Sequence, residues 1–454
     1  LFDNPNKILR GFRNVQSTDP LGNVFHTYFH QDDPRLGKVE REENALSQTS
    51  FVYLDDSSAP YFTPPIQKDE CLGAQCARTT FEYDSYGNVT KTVFQGDTAV
   101  SGDERSVFTD YAQNPAIWLV NLPSRTRAFP NTDGSGSSAS ETQYLYDHNP
   151  AYTDVPLKGD LTKARRYLDT AGAYLETGST YDAFGNALTR VDAKGNTTAF
   201  EYDPLYQSFP ITETNPKGHI ERTDYYLPGD TSGLFGQMKS RTDPNGAVTA
   251  LEYDVFGRRT KVTGPYDSGS AYGSESYEYG INGPGANFVL TRTTEDYGTA
   301  NHFIKIEILD GFGKVIQKAK ESEDPSVFIY TSADFNTRGD MARTTLPQFQ
   351  SGGLRMTYAA PDGSARWTTY TYDAIGRVTR IQKADTGAIV HSYSGWTDSV
   401  TDENGHQKSF TKDGHGRLAR VDGKNFSDTY TTVYHYDSLD YVTHIWYLVG
   451  IDFE

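Results

Sequence analysis

The feature that most constrains the fold of this chain is a short turn signal that recurs along it. Residues 181 to 203 contain Asp182-x-x-Gly185 followed by Asn and, ten residues later, Asp192-x-x-Gly195 followed by Asn. An Asp carboxylate can accept hydrogen bonds from backbone amides further along a turn, and Gly or Asn adopts the positive φ that closes a short hairpin loop. Each signal therefore predicts a point at which the chain reverses direction.

The residues between the turns predict short β-strands. In residues 197–202 every second side chain, namely Thr198, Phe200 and Tyr202, lies on one face. This is the period of a strand rich in β-branched and aromatic residues. Successive aspartates such as Asp192 and Asp203 stand eleven residues apart. Equal steps predict strands of nearly equal length that pair into one continuous antiparallel sheet.

The predicted fold class is all-β, a long antiparallel sheet of hairpins, and no amphipathic helix is expected. We divide the chain into residues 1–80, a strand-and-loop segment that leads into the repeats, and residues 81–454, the repeats themselves. Loop insertions are expected near 131–141 and 264–287, and residues 117–120 are expected to form a short buried strand. The predicted repeat-turn residues are Tyr83, Asp84, Gly87, Tyr181, Asp182, Gly185, Asp192, Gly195, Tyr202, Asp203, Asp243, Gly246, Tyr253, Asp254, Gly257, Asp310, Gly313, Tyr372, Asp373, Gly376, Asp413 and Gly416.

Composition narrows the class of protein. Only 36% of residues are hydrophobic and the mean hydropathy is -0.64, while 32 Tyr and 24 Phe stand against 3 Met. This composition favours an extended sheet with both faces partly exposed to solvent, and it argues against a thick aliphatic core. A net charge of -18 argues against a nucleic-acid or anionic-membrane partner, because both require a basic surface.

Neither a membrane span nor a leader is visible in the sequence. No apolar run approaches the roughly 18 residues that a membrane-spanning helix needs. The chain shows no signal peptide and begins with Leu1 instead of Met. We therefore expect it to be an internal piece of a longer protein.

The two cysteines, Cys71 and Cys76, are separated by four residues that include a glycine. This spacing permits a local disulfide, and two thiols alone cannot close a structural zinc site. We predict either a small disulfide loop or an inert pair of thiols.

The recurring Tyr-Asp-x-x-Gly-[Asn/Arg] unit resembles the YD repeat of bacterial Rhs proteins, which animal teneurins also carry. Gly11-Phe12-Arg13 leading to residues 27–33 is similar to the start of the Rhs region in insecticidal Tc toxin B components and their SpvB-like relatives. The resemblance implies a β-sheet that spirals into a hollow shell around a toxic polypeptide. It also implies other toxin-complex subunits as partners, and a secreted or cell-surface location in a bacterium.

The same family cleaves its own chain beside an Asp-Pro-x-Gly-type motif near the end of the repeats. Asp19-Pro20-Leu21-Gly22 matches these letters but lies at the opposite end of the repeats, in what we predict to be an ordinary turn. We do not assign cleavage to it. The resemblance therefore predicts a shell wall without an enzymatic function.

A chemical function is the alternative to this structural hypothesis. The many aspartates could act as acid and base, but each recurs at the same turn position, whereas catalysis needs one pair in a special environment. His26 and His30 followed by Asp32 and Asp33 could hold a metal, or could form a polar strand face. The loop at residues 402–405 could bind calcium weakly, although it lacks the spaced carboxylates of calcium loops. We predict no catalytic, cofactor or metal site.

The second functional hypothesis is an adhesion or carbohydrate-binding protein of the teneurin kind. Exposed tyrosines together with Trp367 and Trp396 could stack on sugar rings, which makes glycans possible ligands. The first hypothesis remains a shell that encloses and shields a toxin polypeptide.

Overall fold

The computed structural model describes residues 2–3, 8–9, 11–56, 58, 60–168, 172–281, 287–296, 299, 301–425 and 428–449. Over these residues the chain is all-β, and consecutive strands pair antiparallel, which confirms the predicted fold class. The helical content of the described ranges consists of two short 3-10 turns, Asp33–Arg35 and Pro115–Ile117. None of the helices in these ranges is long and apolar enough to cross a membrane.

The strands follow one another along the chain with short connections. The first group comprises β1 Phe2–Asp3, β2 Ile8–Leu9, β3 Asn14–Thr18, β4 Val24–Phe29, β5 Val39–Glu43, β6 Ser47–Tyr53, β7 Pro65–Leu72, β8 Gln75–Tyr83, β9 Val89–Asp97, β10 Arg105–Asn114, β11 Leu119–Phe129, β12 Ser140–Tyr146 and β13 Leu161–Leu168. The second comprises β14 Ala173–Tyr181, β15 Ala187–Val191, β16 Thr197–Tyr202, β17 Pro210–Thr214, β18 Ile220–Tyr225, β19 Met238–Thr242, β20 Val248–Tyr253, β21 Arg259–Thr263, β22 Glu275–Gly280, β23 Asn287–Thr294, β24 His302–Leu309, β25 Val315–Glu321, β26 Val327–Phe335, β27 Met341–Thr345 and β28 Gln348–Ser351. The third comprises β29 Trp367–Tyr372, β30 Val378–Gln382, β31 Ala388–Ser394, β32 Thr397–Thr401, β33 Gln407–Lys412, β34 Leu418–Asn425, β35 Asp428–Tyr436 and β36 Val442–Val449.

The chain divides into two compact units. Unit 1 contains Leu1–Glu176, Asn336–Asp340 and Thr369–Glu454, and unit 2 contains Thr177–Phe335 and Met341–Thr368. Unit 1 therefore holds two separate strand series, β3 to β13 and β30 to β36, while unit 2 holds one principal series that runs from the end of β14 to β26. In the predicted repeats of unit 2, β15 to β21 are five or six residues long.

The hydrophobic core is thin and local. In unit 2 the buried side chains of β23, β24 and β26, including Leu290, Ile306, Ile308 and Tyr330, form one cluster. Part of it is covered by the segment between β28 and β29, from which Met356 packs against the cluster. Alternation of buried and less buried positions along these strands, as in β26, is the pattern of a sheet with one covered face.

One sequence-based prediction of a strand is wrong. Residues 117–120 were expected to be a buried strand, but Ile117 ends a 3-10 turn and Trp118 has a left-handed backbone with φ 60°. Trp118 is 73% exposed and packs edge-on against Tyr86. Pro115 at the start of the turn fixes φ near the helical value, which favours this local turn over an extended chain. The strand begins only at Leu119.

Candidate functional site

The predicted turns share one hydrogen-bond pattern. In all of them except the turn at Asp203, one carboxylate oxygen of the Asp accepts the backbone N–H groups of the residues two and four positions later; at Asp182 these are Phe184 and Asn186, at 2.8 and 2.9 Å. The residue before the second donor takes a positive φ, which is 86° at Gly185; it is a glycine in every turn of the set except that of Asp437, where Asp440 has φ 69°. The aspartates with this pattern are Asp19, Asp84, Asp182, Asp192, Asp243, Asp254, Asp310, Asp373, Asp402, Asp413 and Asp437.

The glycines at the predicted positions have φ values from 78° to 90°, and they are Gly87, Gly185, Gly195, Gly246, Gly257, Gly313, Gly376 and Gly416. Asp203 differs from the other aspartates. Its carboxylate accepts the N–H groups of Tyr206, Ser208 and Phe209, and it opens a longer loop in which Gln207, not a glycine, has the positive φ.

These hydrogen bonds set the electrostatic character of the turns. The side chain and backbone of Asn196 donate to Asp192 and lower the pKa of its carboxyl group, and the Ala247 N–H does the same for Asp243. Among the described residues, every Asp or Glu with a resolved shift has a lowered pKa, as for Asp19, where Asn23 donates. Ionised acceptors suit turn closure, whereas a general acid needs a raised pKa.

Alternate turns lie on opposite edges of an antiparallel series. In unit 2 the turns at residues 182–186, 203–209, 254–258 and 310–314 lie on one edge, because two strands, or a multiple of two, separate each from the next. The turns at 192–196, 215–219 and 243–247 lie on the other edge. We call the first the YD edge, because a strand ending in Tyr or Leu precedes each of its Asp turns, and we use the same name for the corresponding edge in unit 1.

Tyrosines at or near the ends of strands bridge the open ends of hairpins. Tyr202 ends β16, and its hydroxyl donates to the carbonyl of Ala187, the first residue of the neighbouring β15, at 3.2 Å. The same bond joins Tyr436 to Leu418 at 2.8 Å. Further examples are Tyr53 to Val39, Tyr83 to Pro65, Tyr111 to Val89, Tyr225 to Pro210, Tyr279 to Arg259 and Tyr393 to Val378.

This hydroxyl bond is a role that the sequence reasoning missed, since it predicted only cross-strand packing for the repeated tyrosine. The spacing carried a signal, because the donor lies 14 to 22 residues after the acceptor, about the length of one hairpin. Burial of these rings favours the neutral phenol, and it raises the pKa of Tyr83 and of Tyr225.

The fifth residue of each YD-edge turn joins that turn to the next one. Asn186 donates to the Gln207 carbonyl at 2.6 Å, and Arg417 to the Asp437 carbonyl at 3.2 Å. The arginines at this position also lie over the tyrosine that precedes or reaches the following turn. The pairs are Arg258 with Tyr279, Arg377 with Tyr393 and Arg417 with Tyr436, with the guanidinium 4.1 to 4.7 Å from the ring centroid. Asp, Gly, Asn or Arg, and Tyr therefore act as one network along the edge.

In unit 1 the two strand series contact each other along a seam, formed by the YD-edge turns of the later strands and the opposite edge of β3 to β10. His415 Nε2 donates to the Asp103 carbonyl at 2.7 Å, and the Trp396 N–H donates to Gln75 at 2.8 Å. Arg105 pairs with Asp440 at 2.7 Å. At the same seam Arg338 lies 3.6 Å from Asp19.

The seam also requires a small residue at one turn. A Cβ on Gly414 would collide with the backbone of Gly96 and Asp97, so the two series approach to backbone contact there. The close approach is specific to this turn, since a Cβ on Gly311, at the same turn position in unit 2, would meet nothing within 4 Å.

A cleft in unit 2 has a volume of about 990 Å³. Its polar groups are engaged with one another. Lys239 pairs with Asp230 at 2.9 Å, Asp224 accepts from Ser240 at 2.7 Å, and the Tyr226 hydroxyl donates to the Leu251 carbonyl. The residues that line it include no His or Cys in the described part of the chain. We find no constellation here that supports nucleophilic or metal chemistry.

The structure also describes the cysteines, the histidine of the possible metal site and the tryptophans of the possible glycan site. Cys71 and Cys76 form a disulfide across the β7–β8 hairpin. His30 lies 3.5 Å from Asp32, but no group of three metal-ligating side chains occurs among the described residues. Trp367 and Trp396 are half-buried, and the Arg343 guanidinium lies 4.0 Å from the Trp367 ring centroid.

Comparison with known proteins identifies the repeat and the fold. The RHS repeat family matches residues 181–220 and 235–268. No curated protein sequence matches the chain. A structure of TcdB2-TccC3 matches with a TM-score of 0.76 at 13% identity, over 98% of this chain and 34% of that one.

Two further structures match equally well. TcdB2-TccC3-Cdc42 gives a TM-score of 0.77 at 12% identity, over 98% of this chain and 36% of that one. The Photorhabdus luminescens Tc holotoxin pore gives 0.77 at 12% identity, over 98% and 35%. This chain thus spans about a third of the length of the structures that it matches. The chain carries Rhs repeats, and its fold is that of the Tc toxin structures.

Proposed function

We propose that this chain forms part of the wall of a hollow Rhs-type shell that shields a toxin polypeptide in a Tc-type toxin. The observation that carries the proposal is the match to TcdB2-TccC3 over 98% of the chain, which extends well beyond the repeats that the family comparison detects. The partners that we propose are the enclosed polypeptide and other subunits of the toxin complex. A secreted or cell-surface location follows from this role.

The geometry supports a structural role in three ways. Paired strands satisfy the backbone hydrogen bonds of a thin wall without a thick core. The YD-edge network joins each turn to the next, so that neighbouring hairpins hold a fixed register. The carboxyl groups with resolved shifts have lowered pKa values, so the aspartates serve as acceptors in turns and give no support for acid catalysis.

The proposal is tested by protection of the cargo. The natural full-length protein, purified with the polypeptide that it carries, is treated with a broad-specificity protease before and after denaturation. We expect the carried polypeptide to survive in the native complex and to be degraded at least tenfold faster once the complex is denatured. Equal degradation rates in the two states would contradict encapsulation.

The carbohydrate-binding alternative receives no support from the two tryptophans that suggested it. Trp367 has its ring beside Arg343, and Trp396 lies at the seam of unit 1. A glycan array probed with the full-length protein separates the hypotheses, since selective binding of one glycan class would favour adhesion over shielding.

A further inference from the structure

The disulfide of this chain lies at the tip of a hairpin that its own turn already closes. Cys71 and Cys76 face each other across β7 and β8, next to the pair Leu72 and Gln75, which flanks a two-residue turn. In such a hairpin the flanking pair exchanges backbone hydrogen bonds and the next pair does not. The Cα atoms of the two cysteines are 4.1 Å apart, close together as in a pair without backbone hydrogen bonds. The S–S bond is therefore the direct link between the strands at this position.

The tip of this hairpin is bonded to three other segments of unit 1. The Gly73 N–H donates to a carbonyl in the turn between β5 and β6 at 3.0 Å, and the Thr98 N–H, just after β9, donates to the Cys76 carbonyl at 2.9 Å. The Gln75 side chain accepts the Trp396 N–H, from the turn between β31 and β32, at 2.8 Å. A disulfide that closes so short a loop adds little entropic stabilisation to the hairpin itself. Its larger effect is to fix the tip that these three bonds require.

The seam of unit 1 leaves little room for the tip to shift. A Cβ on Gly395 would collide with the side-chain amide of Gln75, so the β7–β8 tip and the β31–β32 turn are in close contact. The loop between β9 and β10, which bonds to the Cys76 carbonyl, also supplies the Asp103 carbonyl that accepts from His415. A change in the conformation of the tip therefore reaches the seam along two routes.

The disulfide is accessible to a small thiol. Both cysteines are half-buried, and Cys71 lines a cleft of about 370 Å³ together with Trp396 and Lys412. Clefts that take small molecules have volumes of roughly 300 to 1,000 Å³. Exposed disulfides are the ones that thiols reduce most readily. The cleft thus gives a reductant a path to the sulfur atoms from the side of the seam.

We propose that the Cys71–Cys76 disulfide is a redox switch for the seam of unit 1. In the oxidised state it holds the β7–β8 tip against the β31–β32 turn and the β9–β10 loop. Reduction frees the two strands at a position without backbone hydrogen bonds, close to the end of the ladder, where strands separate most easily. The seam contacts that depend on Gln75 and on the Cys76 carbonyl then weaken.

The reductant is a small monothiol of the kind that keeps the cytosol reducing. Its thiolate attacks one cysteine sulfur, forms a mixed disulfide and releases the other cysteine as a thiolate, which takes up a proton. A second thiol cleaves the mixed disulfide, so that two thiols of the reductant become one disulfide and the two cysteines become thiols. This inference goes beyond the proposed function, and its test needs no carried polypeptide.

Hydrogen exchange under reducing conditions tests the proposal. The natural full-length protein is incubated without denaturant in reduced glutathione, or in oxidised glutathione as the control. Alkylation of the new thiols and mass spectrometry measure reduction of Cys71 and Cys76. We expect complete reduction and about tenfold faster exchange in residues 98–104 and 395–397, with no change in the turn at 254–258 of unit 2. A disulfide that resists glutathione, or faster exchange confined to residues 71–76, would overturn the proposal.

Two variants separate the routes to the seam. Cys71→Ser with Cys76→Ser is expected to show the fast exchange of the reduced protein at 98–104 and 395–397, and glutathione should have no further effect on it. Gln75→Ala retains the disulfide and should accelerate exchange at 395–397 alone under oxidising conditions, because only the bond to Trp396 is lost. Slow exchange at the seam in the double variant would refute the switch. The reduced natural protein gives the same comparison if the double variant does not fold.

Discussion

At the scale of single residues, the positions of the five-residue repeat turn have different roles. The Asp carboxylate closes the turn, the Gly supplies the left-handed backbone, and the Asn or Arg continues to the next turn. The turn at Asp310 contains two glycines, Gly311 and Gly313, and only Gly313 has the positive φ, at 80°. A Cβ added at either glycine would meet no atom within 4 Å. Substitutions at the two positions therefore differ in backbone strain and not in packing.

Gly313→Ala is expected to destabilise the protein by about 1 to 2 kcal/mol, the cost of a left-handed backbone with a Cβ. Gly311→Ala is expected to be neutral or to stabilise by about 0.4 to 1 kcal/mol, because it only reduces the entropy of the unfolded chain. Thermal denaturation of the two variants measures the difference. Equal effects would show that the backbone conformation at residue 313 is not what the turn requires.

Tyr146 provides a test of pH dependence. It is 7% exposed, its hydroxyl donates to the Pro123 carbonyl, and burial raises its pKa from 10.0 to about 12. Because the folded state holds this proton more tightly than the unfolded state, its contribution to stability is complete below pH 10 and is lost as the pH rises through about 12. Melting temperatures from pH 9 to 12 should fall more steeply for the natural protein than for Tyr146→Phe.

At the scale of elements, the hairpin is the unit and the YD edge is where hairpins are joined. Each tyrosine bridge closes the open end of a hairpin, and each fifth-position side chain reaches the next turn. Arg417 contacts both the next turn and a bridging tyrosine. It bonds to Asp413 at 2.7 Å, to the Asp437 carbonyl at 3.2 Å and to Asp440 at 3.0 Å, and it lies over Tyr436.

Arg417→Gln is expected to lower the free energy of unfolding by about 1.5 to 3 kcal/mol, since it removes charge-assisted hydrogen bonds to several partly buried groups. Arg420→Gln is the control. Its guanidinium is 51% exposed and pairs mainly with Asp422, so about 0 to 1 kcal/mol is expected. Hydrogen exchange at residues 437–441 should accelerate only in the Arg417 variant. Similar exchange in both variants would count against the inter-turn bond.

At the scale of the whole molecule, contacts between distant parts of the chain decide which turns are covered. In unit 1, residues more than 300 positions apart meet at the seam, as His415 and Asp103 do. In unit 2 the corresponding YD edge is exposed and apolar. The same turn signal therefore serves an internal contact in one unit and lies on an exposed edge in the other.

Gly414→Ala is expected to open the seam, because the added Cβ would collide with the backbone at Gly96 and Asp97, a strain of about 1 to 3 kcal/mol for an overpacked site. Gly311→Ala, at the same turn position, is the matched control with open space around it. Protease cleavage within residues 96–105 should be faster in the Gly414 variant alone. Unchanged cleavage would mean that the seam tolerates the extra atom.

Local chemistry made the fold largely predictable. Asp, Gly and the period-two pattern act over a few residues, so turn positions and the all-β antiparallel class could be read from the sequence. The prediction of a buried strand at residues 117–120 was wrong because Pro115 starts a local turn there, and because the contact of Trp118 with Tyr86 involves another hairpin. The tyrosine bridges were missed because the acceptor is a backbone carbonyl, so that only the spacing of the tyrosines along the chain carried a signal.

The sequence by itself determined where the chain turns and which residues close each turn, because these bonds join positions two to four apart. Only the tertiary structure decided that Asn or Arg links successive turns, that Gly414 must lack a side chain, and that Phe256 and Phe312 remain exposed. These properties depend on which edge meets which, and that depends on contacts between residues far apart in the chain.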